Sequence, residues 1–360
     1  MKILSFLCLF IFARLASSAA VLDVTFDSQN EGLYTETLAY TDFPYQDNQH
    51  FWSDSWYELG YGRGTIITDS MTQSKVLRVK YPKGCLGPNG DTGCGIQIKY
   101  PLPDSAETMW LSYQIFFEDG FDFVKGGKLP GLCGGECYTG GNIPGTGDGW
   151  SARIMWRTGG SVIQYLYFVD QTGTYGDDAK WDLGGAITQK VFVRGIWHTV
   201  VTKIELNSVP VEGKGSKNGK IRSWFDGDLA LDLDTLRLRD YAAQKIDKFY
   251  FSTFHGGSDS TWVPTVDSYV RYDNIVVSKD SIPITKGSLR LLLGEEPHGK
   301  TIWPRMLVGN QIKWDTPFSR DMRFFFYGTD GRLRISKIAP KGTTEMQLPL
   351  NNEVFFLRVR

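Results

Sequence analysis

Gly149-Trp150-Ser151-Ala152-Arg153-Ile154-Met155-Trp156-Arg157, then Thr158-Gly159-Gly160, then Tyr165-Leu166-Tyr167 is the stretch on which the fold turns. Residues two apart in a strand share a face. Ser151, Arg153, Met155 and Arg157 therefore lie on one face, and Ala152, Ile154 and Trp156 on the other. In the partner strand Tyr165 and Tyr167 go together, while Leu166 and Phe168 point away. Two such strands around a Gly-Gly turn read as an antiparallel hairpin whose apolar side packs on a second sheet. The other side carries hydroxyls and cations, which suits water or a polar ligand. Register decides whether those groups meet. A three-residue loop, Thr158 to Gly160, sets Arg153 opposite Tyr165 and Ser151 opposite Tyr167, with Gly160 left-handed in a G1 bulge. A two-residue turn would send both tyrosines to the opposite face.

Outward from the hairpin, strand-length segments recur: Val76–Tyr81, Ile96–Tyr100, Met109–Phe117, Thr199–Leu206, Ile221–Phe225, Lys248–Phe254 and Tyr269–Val277. Clusters of Gly, Pro, Asn and Asp separate them, as turns require. With 40 glycines, 14% aromatics and few helical patterns, the chain reads as all-β. The expectation is a jelly-roll β-sandwich of two antiparallel sheets over 21–280. Only the stretch around Asp234–Gln244 suggests a short helix. Beyond it, 281–360 reads as a small C-terminal β module, a sugar-binding unit or a cover for the sandwich. Its strand candidates are Ser288–Leu293, Met322–Tyr327, Arg332–Ile338 and Val354–Val359, with Gly328-Thr329-Asp330-Gly331 as a hairpin turn.

Lys2, the apolar run Ile3 to Phe12 and the small residues Ala16 to Ala20 have the order of a secretory signal peptide over 1–20. The run is too short to span a bilayer. The expectation is a secreted, extracellular monomer with no membrane attachment after cleavage. Four cysteines then remain, and each of the pairs Cys85–Cys94 and Cys133–Cys137 closes a short Gly-rich loop, so two disulfides are expected. A zinc site is disfavoured by the lack of CxxC and of a histidine at ligand spacing. The formal charge of -1 and the lack of a basic helix argue against nucleic acid. An acidic polymer would need a local cationic site.

Gly126-Gly127-Lys128-Leu129-Pro130-Gly131-Leu132 supplies a further cation ahead of the hairpin. Taken singly, Lys128 is a solvated loop lysine, and Arg and Tyr on a sheet face are ordinary cross-strand pairs. Together, this segment, the Ser-x-Arg strand and the Tyr-x-Tyr strand resemble polysaccharide lyase family 14. That family includes alginate lyases of marine molluscs and of an algal virus, and enzymes acting on glucuronan. The resemblance runs from about Leu22 to Ser278 and takes in Phe254-His255-Gly256-Gly257-Ser258-Asp259 and Tyr272-Asp273-Asn274. It implies a jelly roll with a positively lined groove and functional positions at Lys128, Ser151, Arg153, Tyr165 and Tyr167. Arg157, Gln164 and His255 are expected to contact substrate. The Cys133 to Cys137 segment, and His255 where an aromatic residue is expected, depart from the pattern.

A uronate lyase must neutralise a carboxylate, remove the C5 proton and protonate the leaving O4. Arg153 suits the first task, because its planar fork can take a carboxylate bidentately. Tyr165, Tyr167 or Lys128 can supply base and acid, and Ser151 can hold the carboxylate or orient a tyrosine. No cofactor or metal is expected: Asp177, Asp178, Asp226 and Asp228 read as turn residues, and His198 as a structural strand residue. A glycoside hydrolase would need two facing carboxylates, and the polar strands carry no such pair. The alternative is a non-catalytic carbohydrate-binding jelly roll, which would not need Lys128 and both tyrosines in one place.

Overall fold

Among the described residues of 20–278, alternating side chains become fifteen strands in two facing sheets. The computed structural model describes residues 20–44, 59, 61–183, 189–257, 259–284, 306–308, 311–313, 322–327, 333–347 and 356–359. In chain order come β1 (Ala20–Val24), β2 (Gly32–Leu33), α1 (Glu36–Asp42), β3 (Gly64–Thr68), β4 (Lys75–Tyr81), β5 (Ile96–Ala106) and β6 (Thr108–Phe117). Then follow β7 (Gly126–Gly135), β8 (Gly149–Arg157), β9 (Val162–Tyr167), β10 (Asp177–Lys180), β11 (Trp197–Glu205), β12 (Gly219–Phe225), β13 (Asp228–Leu236), β14 (Ile246–His255) and β15 (Ser268–Ser278). One sheet has the order β13-β12-β11-β6-β15-β4-β3-β2, with β1 also on β15; the other is β10-β9-β8-β7-β14-β5. All these pairings are antiparallel, and the architecture is the expected jelly roll.

The core between the sheets is strongly aromatic. Trp156 of β8 packs edge-on to Tyr81, Phe117 and Phe121 at centroid distances of 6.0, 5.8 and 5.4 Å. Its indole N–H donates to the Phe123 carbonyl at 3.0 Å, so the ring is buried without losing its hydrogen bond. This ring anchors the strand that carries the polar face.

One local expectation fails, and one glycine-rich segment takes a form not assigned from sequence. The Gly126 to Leu132 segment is a strand. Its glycines make room: a Cβ on Gly127 would lie 2.1 Å from the Trp156 ring, and one on Gly131 would lie 2.1 Å from the Ala152 carbonyl. The expected helix at Asp234–Gln244 is absent. Residues up to Leu236 continue β13, and Asn207 Oδ1 then accepts the N–H groups of Leu238 and Arg239. The Arg239 guanidinium donates to the carbonyls of Ala242 and Gln244. A helix needs those backbone groups for itself. The α-helix that forms among the described residues, α1, is too short to announce itself by periodicity; Thr35 caps it by accepting from Leu38 N–H.

Both expected disulfides are present, Cys85–Cys94 and Cys133–Cys137. In the C-terminal stretch Met322–Tyr327 pairs with Leu333–Ala339 as the anticipated hairpin, and Phe356–Val359 pairs with Met322–Tyr327. Residues 1–19 and the expected strand Ser288–Leu293 lie outside the described residues. Among the described residues no helix is long and apolar enough to cross a membrane.

Candidate active site

The hairpin register is the odd-length one. Arg153 pairs with Tyr165 and Ser151 with Tyr167, and Gly159 and Gly160 both take positive φ in the connecting turn. On the next strand Lys128 pairs with Met155, and a bulge between Leu129 and Gly131 keeps Gly131 opposite Arg153. Lys128, Arg153, Arg157, Tyr165 and Tyr167 thus share the outer face of the six-stranded sheet.

Lys128 Nζ lies 4.3 Å from the Tyr165 ring centroid and 3.1 Å from Met155 Sδ. Among the described residues no carboxylate lies within ion-pair distance of it. Burial of its amine, and then the charges of Arg153 and Arg157, hold the Lys128 pKa well below the usual lysine range, with Asp178 opposing weakly. Tyr165 moves the other way. Desolvation first, and then Tyr167, raise its phenol above the ordinary tyrosine value. Each tyrosine oxygen accepts a backbone N–H at 3.1 Å, Tyr165 from Gly176 and Tyr167 from Gly141. The Tyr165 phenol is also within hydrogen-bonding reach of Tyr167.

Arg153 departs from the sequence expectation. It is fully buried, and its fork is divided: one terminal nitrogen donates to Ser252 Oγ at 3.2 Å and the other to Thr139 Oγ1 at 2.8 Å. Its Nε has no partner, and its guanidinium lies 4.6 Å from the Tyr250 ring and 5.7 Å from that of Tyr165. It is a buried positive charge beneath the outer face, and no face of it is open for a bidentate carboxylate. Ser151 is likewise buried, donating to the Tyr138 carbonyl at 2.6 Å. Residues 138–141, just past the Cys133–Cys137 bridge, therefore touch Ser151, Arg153 and Tyr167 in turn.

This chain belongs to the polysaccharide lyase 14 family: the family model matches residues 69–275, more than half the chain.

Solved structures agree with that membership. The alginate lyase Aly36B is 28% identical, with a TM-score of 0.56, covering 72% of this chain and 96% of its own. The PL-14 alginate lyase from Aplysia kurodai is 25% identical, with a TM-score of 0.57, covering 72% of this chain and 99% of its own. An Aly36B double mutant lacking one lysine and one tyrosine, solved with alginate tetrasaccharide, is 27% identical at a TM-score of 0.57, covering 73% and 98%. No curated protein matches the sequence. As a family 14 member the chain is a polysaccharide lyase.

Two residues assigned to substrate contact sit elsewhere. Gln164 follows Leu166 onto the core side of β9, where its amide donates to the Arg153 carbonyl and accepts from Ser223 of the opposite sheet. His255 pairs with Gly127 and points inward, stacked on Phe121 at 5.4 Å. Its Nε2 donates to the Asp122 carbonyl, while Nδ1 is buried and unpaired. It also lies within metal-ligand distance of Cys85 and Cys94, but both sulfurs are consumed in their disulfide. Arg157 does stand on the outer face, though Nε and one terminal nitrogen grip Asp178 at 2.8 and 2.5 Å. Asp177 and Asp178 are strand residues of β10, not turn residues. His198 is a buried strand residue held by Asp226 and Val193.

Sequence reasoning missed Thr139, Tyr250 and Ser252. Alternation along β14 could have found the last two, since Tyr250 and Ser252 share a face. Nothing local marks Thr139, which reaches Arg153 only through the path of its loop.

Proposed function

We propose that this polysaccharide lyase cleaves a uronate polymer, alginate mannuronate blocks or glucuronan, by β-elimination. The observation that carries the reading is the Lys128 amine, packed against the Tyr165 ring beside two arginines. A lysine whose pKa is lowered gives up its proton more readily and can act as a base, and a tyrosine whose pKa is raised keeps its proton and can act as an acid. Lys128 takes the C5 proton. The C5–H electrons form the C4–C5 double bond, the C4–O bond breaks, and Tyr165 protonates the departing oxygen. The Arg153 charge beneath the groove and the Tyr167 hydroxyl stabilise the substrate carboxylate as negative charge spreads onto it. Ser151 acts on this geometry indirectly, through the Tyr138 carbonyl.

Mannuronate and glucuronate share configuration at C4 and C5, whereas guluronate is inverted at C5. A site with fixed base and acid therefore favours the first two. The related alginate-bound structures support an acidic polysaccharide as the partner. The order of residues in 1–20 supports secretion, and the domain division at about 280 separates the lyase unit from a C-terminal module of unassigned role.

The test is the ultraviolet absorbance of unsaturated uronate when purified protein meets polymannuronate, polyguluronate and glucuronan separately, with Lys128→Ala alongside. Product from polymannuronate or glucuronan, absent in the variant, is expected. Binding with no product on any polymer would favour the non-catalytic carbohydrate-binding reading.

A further inference from the structure

The segment after β14 runs past Lys128: a Cβ on Gly256 would lie 3.7 Å from Lys128 Nζ. It ends in a short 3-10 turn, Ser260–Trp262, capped by Asp259, whose carboxylate accepts from Thr261 N–H at 2.8 Å. A Cβ on Gly257 would lie 2.0 Å from the Trp262 indole, so the ring rests directly on the Gly257 backbone. That contact holds the indole in place. Two cations flank it: Arg157 Cζ at 5.8 Å and Lys125 Nζ at 5.9 Å from the ring. Lys125 is exposed, its ammonium donates to Thr261 Oγ1 at 2.6 Å, and among the described residues it has no ion pair. Arg157 also stands 5.7 Å from the Tyr165 ring, so its guanidinium bridges the candidate acid and the indole.

We propose that Trp262, Lys125 and Arg157 form an outer subsite for a further uronate residue of the polymer, next to the residue held at Lys128 and Tyr165. The proposal rests on the reading of that face as a uronate groove. An indole offers apolar surface to the C–H side of a pyranose ring, and the cations 5.8 and 5.9 Å from its centroid can meet the sugar's carboxylate. Lys125 supplies an exposed charge that Thr261 positions and Asp259 partly offsets. Arg157 keeps its second terminal nitrogen for a ligand while Asp178 holds its orientation. A neutral polysaccharide would gain from the indole but not from Lys125, so the subsite selects charged sugars.

The experiment is calorimetric binding of a mannuronate tetrasaccharide in the Lys128→Ala background, which prevents turnover. Adding Trp262→Ala should weaken binding about tenfold, and Trp262→Phe should retain most of it. Lys125→Ala should weaken binding about threefold at low salt and less at high salt. Unchanged affinity in Trp262→Ala would overturn the subsite. If that variant fails to fold, Lys125→Ala decides alone, since the residue is exposed; equal affinity at both salts would overturn it. The lyase reading stands or falls separately. Wild-type product with unchanged Trp262→Ala binding removes only the subsite. No product with wild type, but lost binding in Trp262→Ala, removes only the lyase.

Discussion

In the proposed mechanism Lys128 concentrates the chemistry into one atom whose protonation is set by its surroundings. Because burial and two arginines lower its pKa, kcat/KM should fall as pH drops through that lowered value. The alkaline limb should lie above the ordinary tyrosine value, because Tyr165 is raised. A pH profile checks both limbs, and Tyr165→Phe should remove the acid with at least a roughly hundredfold loss of kcat. Lys128→Arg separates base from counter-charge. Arginine stays protonated, so binding should persist while turnover falls at least about a hundredfold. Substantial activity in Lys128→Arg would mean that the lysine only neutralises the carboxylate and that a tyrosine is the base.

Two connecting elements do the positioning. The turn at Thr158 to Gly160 sets the register that brings Arg153 to Tyr165. Gly160 has φ +87°, and a Cβ there would lie 2.6 Å from the Phe192 carbonyl. Gly160→Ala should cost about 1–3 kcal/mol, read as a lowered urea midpoint; an unchanged midpoint would show that the turn relaxes freely. The loop after the Cys133–Cys137 bridge is the second element. Thr139→Val keeps its shape but removes the acceptor for Arg153. A kcat loss of about tenfold with little change in melting temperature is expected. Equal kcat would mean that Arg153 needs no clasp. The bridge itself was legible from spacing. The landing of residues 138–141 on three site residues was not, because loop paths depend on contacts with strands remote in sequence.

At the scale of the whole molecule, the aromatic core ties site geometry to global stability. Trp156 and His255 pack 5.2 Å apart behind the polar face. Burial lowers the His255 pKa to about 4, and its bond to the Asp122 carbonyl offsets this only in part. Above an unfolded value of about 6.5 both states are neutral and nothing is lost. Between there and about 4 only the unfolded chain takes the proton, so stability declines as pH falls, by about 3 kcal/mol in all. Below about 4 this decline ends. His255→Phe should abolish that part of the acid loss, checked by urea unfolding of both proteins from pH 7 to 4. Parallel curves would exclude His255 as its source. Trp156→Ala should cost about 3–5 kcal/mol by emptying the centre of the same cluster.

Much of this was written in the sequence because alternation is a local property. Ser151, Arg153 and Met155 share a face wherever the strand goes, and the same parity already set Gln164 with Leu166, away from the tyrosines. Short cysteine spacing closed its own loops. The class of the fold, the composition of the polar face and the lysine ahead of it follow from such short-range rules. Only the tertiary structure decided how deep each polar group lies and what it touches. Arg153 is sunk between Ser252 and Thr139, His255 is turned into the core, and the glycine-rich segment with Lys128 is a strand fitted against Trp156. Each outcome depends on side chains brought together from distant parts of the chain, and packing against those partners sets both burial and pKa.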